Sequence, residues 1–251
     1  YDINKVDSIL KEGFYLFKSE AASWAATDLL INNEKDIQEN VRGYVSYISG
    51  DTIKTIFTNQ ETPPQIILTY YFDTTMKVSY YKKDKVPRSP NTLESKLVSI
   101  RSDALNRINS DKSGFYRVFP KTSLNLIPII GSNVDKVVVL TGPQEDGIVP
   151  FGNDYVLYYG KDGSFINQLK IHMSYVPTPV EYVKNTKILK SVHSHVLSDF
   201  ISSTDICSVL LYKQFIKWNK LIVMGSKYTS IWDVPTNNLT IVTTDKFMKS
   251  K

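Results

Sequence analysis

The chain has 251 residues, 42% of them hydrophobic, which is enough for one large domain or two small domains with a proper core. Its net charge of +5 at pH 7 is modest and its lysines are scattered, so nucleic-acid binding is not expected, and no apolar run is long enough for a membrane span. The single cysteine, Cys207, excludes an intramolecular disulfide and any cysteine-rich zinc site.

Residues 1–90 predict a small α+β unit. Ser19–Ile31 has the apolar spacing of a helix that faces a core. Lys82–Pro90 is charged and contains two prolines, so it is the predicted linker to a second domain at 91–251. Between them, turn sequences separate four strand-like segments: Val41–Ser49, Thr52–Thr58, Gln65–Phe72 and Met76–Tyr81.

The second domain begins with a predicted helix. Asn91 to Glu94 has the pattern of a capping box, and apolar residues then recur every three or four positions to about Asn109. Leu126–Ile130 predicts a buried loop or an edge strand, because Pro128 cannot donate to a ladder. A β-meander is expected next, over Lys136–Thr141, Ile148–Tyr159 (interrupted at Gly152-Asn153-Asp154) and Phe165–Met173.

Two of the three histidines stand two residues apart, in the predicted strand Lys187–His195. Alternation along a strand places His193 and His195 on one face. Ser202 is the predicted N-cap of the next helix, and Asp205 lies in its first turn. Two imidazoles, one carboxylate and an open position for water are the pattern of a catalytic zinc site.

The third histidine, His172, lies on an apolar predicted strand and is interpreted as a core or edge residue. Asn153-Asp154 predicts either a bulge or a pair that orients a metal-bound histidine, since such a histidine usually donates its other N–H to a carboxylate or a carbonyl.

This arrangement resembles the JAMM family, the MPN-type zinc metalloproteases that cleave isopeptide and peptide bonds. Their signature is a distant glutamate, then His-Ser/Thr-His, about seven residues, and Ser-x-x-Asp. Here six residues separate His195 from Ser202, and Val196 replaces a frequent proline. The order of the following elements also matches: a helix to about Trp218 and strands at Leu221–Gly225, Ser230–Val234 and Leu239–Thr243. The resemblance covers roughly Thr92–Thr244.

The resemblance implies an α/β (α+β) fold with a mixed β-sheet flanked by helices, here preceded by the small N-terminal α+β unit. It implies that Zn²⁺ is held by His193, His195 and Asp205, and that Ser202 helps to stabilise an oxyanion. The implied partner is a peptide or protein substrate.

The family's glutamate, which acts as general base, has two candidates here. Asp135 has the expected position, because it opens the strand Lys136–Thr141, but it is one methylene too short. Glu145 has the right side chain but lies in a predicted turn. For both residues the alternative interpretation is a solvated turn carboxylate.

Three functions therefore stay open: a zinc-dependent peptidase or isopeptidase, a non-catalytic MPN-like interaction module, and a metal-free structural protein. No signal peptide is visible, and because the chain begins at Tyr1 rather than Met, a processed form, secreted or periplasmic, or a trimmed form is expected.

Overall fold

The structure is a computed structural model that describes residues 3–75, 81–180 and 190–249. Its helices are α1 (Ile3–Asn33), α2 (Thr92–Ser110), α3 (Ser203–Tyr212) and α4 (Thr244–Lys249). Its strands are β1 (Gly43–Ser49), β2 (Thr52–Thr58), β3 (Ile66–Asp73), β4 (Tyr81–Asp84), β5 (Thr122–Ile129), β6 (Asp135–Pro143), β7 (Ile148–Gly152), β8 (Tyr155–Tyr159), β9 (Phe165–Lys170), β10 (Tyr175–Pro179), β11 (Lys190–Ser194), β12 (Lys220–Met224), β13 (Tyr228–Asp233) and β14 (Asn238–Thr243). The predicted mixed α+β class is confirmed.

The strands form three four-stranded sheets and one pair. The first sheet has the antiparallel order β1-β2-β3-β4, and the second sheet has the antiparallel order β5-β6-β8-β9. The third sheet, β11-β12-β13-β14, is mixed, because β11 runs parallel to β12 at its edge. Strands β7 and β10 pair with each other. Of the described helices, none is both long and apolar enough to cross a lipid bilayer.

Helix α1 starts well before the predicted Ser19–Ile31 and joins the two halves of the chain. Its last turns, including Ala22 and Ala26, pack on the first sheet, while Leu16 packs on the second sheet. Gly13 lies where α1 crosses α3. A Cβ on Gly13 would stand 2.6 Å from Ile206 on α3, so only glycine allows this close approach.

Helix α2 also packs on two sheets, so the two predicted domains share cores. Its capping box at Asn91 is present, Leu97 packs with the first sheet, and Ile100 packs with the second. The guanidinium of Arg101 lies 4.4 Å from the ring centroid of Tyr44 on β1. A boundary at residue 90 therefore does not separate two independent cores.

The predicted linker Lys82–Pro90 is largely exposed, but it is tied to the first sheet. Its first residues belong to β4, which pairs with β3, and Arg88 bridges to Ile66. Most of the predicted strand Met76–Tyr81 lies outside the described residues.

The predicted strand Ile148–Tyr159 is two strands in different sheets. β6 pairs with β8, while β7 leaves to pair with β10. Gly152 and Asn153 both have a positive φ, of 80° and 57°, which ends β7. A Cβ on Gly152 would stand 2.0 Å from the carbonyl oxygen of Ser174, so glycine lets the segment after β9 lie close against β7.

Helix α3 lies between the second and third sheets. Cys207 is fully buried against Val138 and Leu140 of β6, in agreement with its prediction as a small buried residue. The opposite side of α3, including Val209, packs on Trp232 and other residues of the third sheet. Packing on both sides fixes the start of α3, and therefore Asp205, relative to β11.

Glu94 links α2 to the first sheet. It is 1% exposed and accepts two hydrogen bonds from Arg88, each 2.7 Å long, and one of 2.7 Å from Tyr47. Burial raises the pKa of Glu94, but the hydrogen bonds from Arg88, the Asn91 N–H and Tyr47 outweigh it and lower the pKa from 4.5 to about 2.

Because the folded-state pKa of Glu94 is depressed, its contribution to stability is present above pH 4.5 and is lost as the pH falls towards 2. We expect Glu94→Gln to lower the free energy of unfolding at pH 7 by about 3 kcal/mol, because folding lowers the pKa of Glu94 from 4.5 to about 2. Urea unfolding should show a much smaller difference from wild type near pH 2.5. Glu61→Gln, an exposed control, should match wild type, and an equal loss at both pH values would contradict this account.

Candidate metal centre

The histidine-bearing strand is β11, whose described part is Lys190–Ser194; residues 187–189 of the predicted strand lie outside the described residues. It pairs with β12, and the His195 N–H continues this pairing to the Met224 carbonyl at 2.9 Å. The side chains of His193 and His195 lie on one face, with their Nε2 atoms 3.2 Å apart. The period of two along a strand therefore predicts this part of the site well.

Asp205 meets the histidines from the first turn of α3. Its Oδ2 accepts hydrogen bonds from the Ser202 N–H at 2.8 Å and the Ser202 hydroxyl at 2.7 Å. Its Oδ1 lies 3.3 Å from His193 Nε2 and has no hydrogen-bond partner among the described residues. The capping box thus holds the carboxylate in place while both of its oxygens lie against imidazoles, Oδ2 at 3.2 Å from His195 Nε2.

His172 belongs to the same cluster. It is buried, as its interpretation as a core residue expects, but it does not lie on a strand. It follows β9, in the connection to β10. Its Nε2 lies 3.0 Å from His195 Nε2 and 3.6 Å from Asp205 Oδ1. Two unprotonated Nε2 atoms at this separation repel each other unless a proton or a cation lies between them.

Hydrogen bonds on the far side of two rings fix which nitrogen faces the centre. His172 Nδ1 lies 3.1 Å from Asp154 Oδ2, and the other oxygen of Asp154 accepts from the Thr141 N–H at 3.0 Å. His195 Nδ1 donates to the Phe200 carbonyl at 2.7 Å. Because both Nδ1 atoms carry the hydrogen, both Nε2 lone pairs can bind a metal, as is usual for metal-bound histidines. The sequence interpretation of Asn153-Asp154 as an orienting pair fits Asp154.

The spacing of His172, His195 and Asp205 fits the ligands of one metal ion. A zinc ion lies about 2.0–2.1 Å from nitrogen and oxygen ligands, so its ligand atoms are about 3.3–3.4 Å apart. Two separations between Nε2 atoms and three between an Nε2 atom and a carboxylate oxygen run from 3.0 to 3.6 Å. His172, His195 and Asp205 form a buried group that can hold a metal ion, and His193 lies against two of its members.

The charges of the cluster also favour a cation. Asp154 and Asp205 are 4% and 1% exposed, and within the described part of the chain their ion-pair contacts are to histidines alone. Burial raises the pKa of Asp205, but the three histidines hold it well below its usual range. Burial lowers the pKa of His172, yet Asp205 and Asp154 raise it to about 10. Without metal, a proton on His172 therefore supplies part of the charge that a divalent ion would supply.

The two predicted general bases are not brought to this centre. Asp135 is fully buried and pairs with Lys161 at 2.6 Å and Lys96 at 3.1 Å. It lies six residues along β6 from Thr141, or roughly 20 Å at about 3.3 Å per residue. Glu145 lies in the turn after β6, where it pairs with Lys121 at 2.7 Å. Asp135 opens β6 and therefore lies at the end of that strand opposite to the site, which explains why the predicted position is not the observed one.

Ser202 does lie at the centre, 3.4 Å from His172 Nε2. Its hydroxyl donates to Asp205 Oδ2, so it would have to leave this hydrogen bond before it could stabilise an oxyanion.

Comparisons with protein-family models, with curated proteins and with solved structures find no match for this chain. The resemblance to the JAMM family therefore rests on the signature residues alone.

We expect the purified protein to bind one equivalent of zinc and to unfold at a higher temperature when zinc is added, because the ion binds only the folded chain. His195→Ala should weaken zinc binding by more than about 100-fold, because even the loss of a residue that only orients a ligand costs 10–100-fold. Titration against a competing chelator measures the zinc stoichiometry and the zinc affinity of each protein, and thermal unfolding with and without zinc measures the stabilisation. Glu145→Gln is the control and should match wild type; equal zinc affinity in all three proteins would refute the site.

Asp154→Asn tests the orienting hydrogen bond to His172. The loss of the carboxylate leaves His172 Nδ1 without its charged partner, and we expect zinc affinity to fall by about 10–100-fold. Asp199→Asn, which changes an exposed carboxylate that bonds Ser226 and the Lys227 N–H, serves as the control. An Asp154→Asn protein with wild-type affinity would show that this contact does not support the metal.

Proposed function

We propose that this chain is a zinc-dependent hydrolase of peptide or isopeptide bonds, similar in its chemistry to the JAMM family. The observation that carries the proposal is the His172–Asp154 pair, which lies directly beside the three predicted ligands. The sequence left the proton carrier of such an enzyme unassigned between two carboxylates. His172 provides a proton-carrying group where Asp135 and Glu145 do not reach.

In this proposal His193, His195 and Asp205 hold the ion, and the donor set of imidazole nitrogen and carboxylate oxygen suits zinc. Zinc would supply a Lewis acid that polarises the scissile carbonyl and brings the pKa of a coordinated water to about 7. His172 accepts a proton from the attacking water at Nε2 and delivers it to the leaving amine. Asp154 keeps the His172 ring oriented during both transfers through its hydrogen bond to Nδ1.

The second candidate is a non-catalytic MPN-like module in which His172 is the fourth zinc ligand. Two observations favour it: His172 Nε2 lies 3.0 Å from His195 Nε2, and the most accessible ligand, His193, has a side chain only 11% exposed. Structural zinc sites are closed by four protein ligands, whereas catalytic sites keep one position open. The ion would then join β11, α3 and the connection between β9 and β10.

His172→Gln separates the two candidates. As a proton carrier, His172 contributes to turnover, so the variant should keep zinc within a few-fold of wild-type affinity and lose about 10²–10⁴-fold in activity. As a fourth ligand, His172 contributes to affinity, so the variant should lose zinc about as strongly as His195→Ala. The measurements are zinc affinity by chelator competition and hydrolysis of a panel of peptide- and isopeptide-linked substrates.

Glu145→Gln and Asp135→Asn should both retain activity in this account, since neither side chain reaches the centre. Zinc-loaded wild type that cleaves nothing in the panel would eliminate the hydrolase and leave the binding module. Wild type that binds no zinc would eliminate both candidates and leave a metal-free structural protein.

A further inference from the structure

A cavity of about 840 Å³ lies beside α1, away from the metal centre. It is bounded by α1, β1, β5, the turn after β6 and the C-terminal end of α3. Tyr212 on its wall lies seven residues after Asp205, or about 10 Å along a helix. Its volume is in the range of small-molecule sites, which is about 300–1,000 Å³.

The wall of this cavity has an unusual charge for a chain with a net charge of +5. Four carboxylate residues line it, and none of its described lining residues is lysine, arginine or histidine. The carboxylates are Glu20, Asp28, Glu145 and Asp146. A basic protein thus presents a cavity whose wall carries only negative formal charges.

Glu20 is the one acid of this set that is buried, at 2% exposure. Its Oε1 accepts hydrogen bonds from Trp24 Nε1 and Asn125 Nδ2, both 2.7 Å long. Its Oε2 has no hydrogen bond and no ion pair within the described residues. Arg101 attracts Glu20 at longer range, but its guanidinium lies over Tyr44 and its Nε donates to the Leu126 carbonyl at 3.3 Å.

A buried carboxylate without a cation at contact distance is costly, and such groups are normally paired. Burial accordingly raises the pKa of Glu20, although its hydrogen bonds and Arg101 oppose this. A cation bound in the cavity beside Glu20 would offset this cost.

Aromatic rings complete the wall. Trp24 and Tyr212 meet edge to face with centroids 5.8 Å apart, and Tyr44 and Phe215 also line the cavity. Trp24 is 36% exposed and Phe215 is 61% exposed, so both rings are accessible from outside. Aromatic rings beside a carboxylate attract an ammonium group through cation–π and charge interactions, and they cover its aliphatic stem.

We infer that this cavity binds an aliphatic ammonium group, with Glu20 as its counter-ion and the Trp24–Tyr212 pair against its stem. The group is either a free alkylamine or the side chain of a lysine in a peptide. The inference is independent of the metal centre and of the proposed hydrolysis.

The probes are n-butylammonium and the capped peptide acetyl-Gly-Lys-Gly-amide, with the norleucine peptide as the uncharged control. The readout is the indole N–H signal of Trp24 in an NMR titration, because that N–H is bonded to Glu20. We expect both charged probes to shift the signal saturably and the norleucine peptide to leave it unchanged. Tighter binding of the lysine peptide would identify a peptide side chain as the ligand, and equal or tighter binding of butylammonium would identify a free amine.

Glu20→Gln keeps an oxygen that can accept from Trp24 and Asn125 but removes the buried charge. We expect it to weaken probe binding by at least tenfold and to unfold at the same temperature as wild type or higher. Asp28→Asn changes an exposed carboxylate on the same wall and should weaken probe binding about twofold. Glu39→Gln removes one charge outside the cavity and should bind the probes like wild type. The inference is overturned if neither charged probe binds, if norleucine binds as well as lysine, or if Glu20→Gln and Asp28→Asn both bind like wild type.

Discussion

The arrangement of the metal centre depends on one buried carboxylate that serves two purposes. Asp205 Oδ2 completes the capping box of α3 and also lies 3.2 Å from His195 Nε2, while Oδ1 faces His193 and His172. A carboxylate in the first turn of a helix is stabilised by the free N–H groups and by the positive end of the helix dipole. The same contacts that start α3 therefore hold a negatively charged ligand at a fixed point. An unpaired charge buried at 1% exposure would otherwise be strongly destabilising.

Two glycines bring the remaining residues to that point. Gly13 allows α1 to cross α3 closely, so α3 is held between the second and third sheets. Gly152 ends β7 and lets the segment after β9 approach, which places His172 beside Asp154 and the β11 histidines. A side chain at either glycine would displace an element that carries a residue of the centre, and a Cβ on Gly152 would also lie 3.4 Å from the Cβ of His172.

The parts of the site that the sequence predicts are the local ones. The shared face of His193 and His195 follows from strand alternation, and the position of Asp205 follows from the capping pattern of Ser202. His172 was missed because its place depends on β7 leaving the second sheet to pair with β10, which no periodicity reports. The order of elements along the chain pointed to Asp135. The length of β6 instead places Asp135 at the end of that strand far from the metal centre. The fold class was predictable from the alternation of helical and strand patterns, whereas the packing of α1 and α2 across two sheets was not.

The central claim is that this cluster of imidazoles and one carboxylate holds a single ion, and zinc K-edge X-ray absorption on the zinc-loaded protein tests it most directly. The account predicts four nitrogen or oxygen donors at about 2.0–2.1 Å, with the outer-shell scattering of imidazole rings and with no sulfur. Three imidazoles would indicate the closed centre, and two would indicate the centre in which His172 carries protons. A zinc environment of six oxygen atoms without imidazole scattering, or no zinc retained after dialysis, would contradict the account.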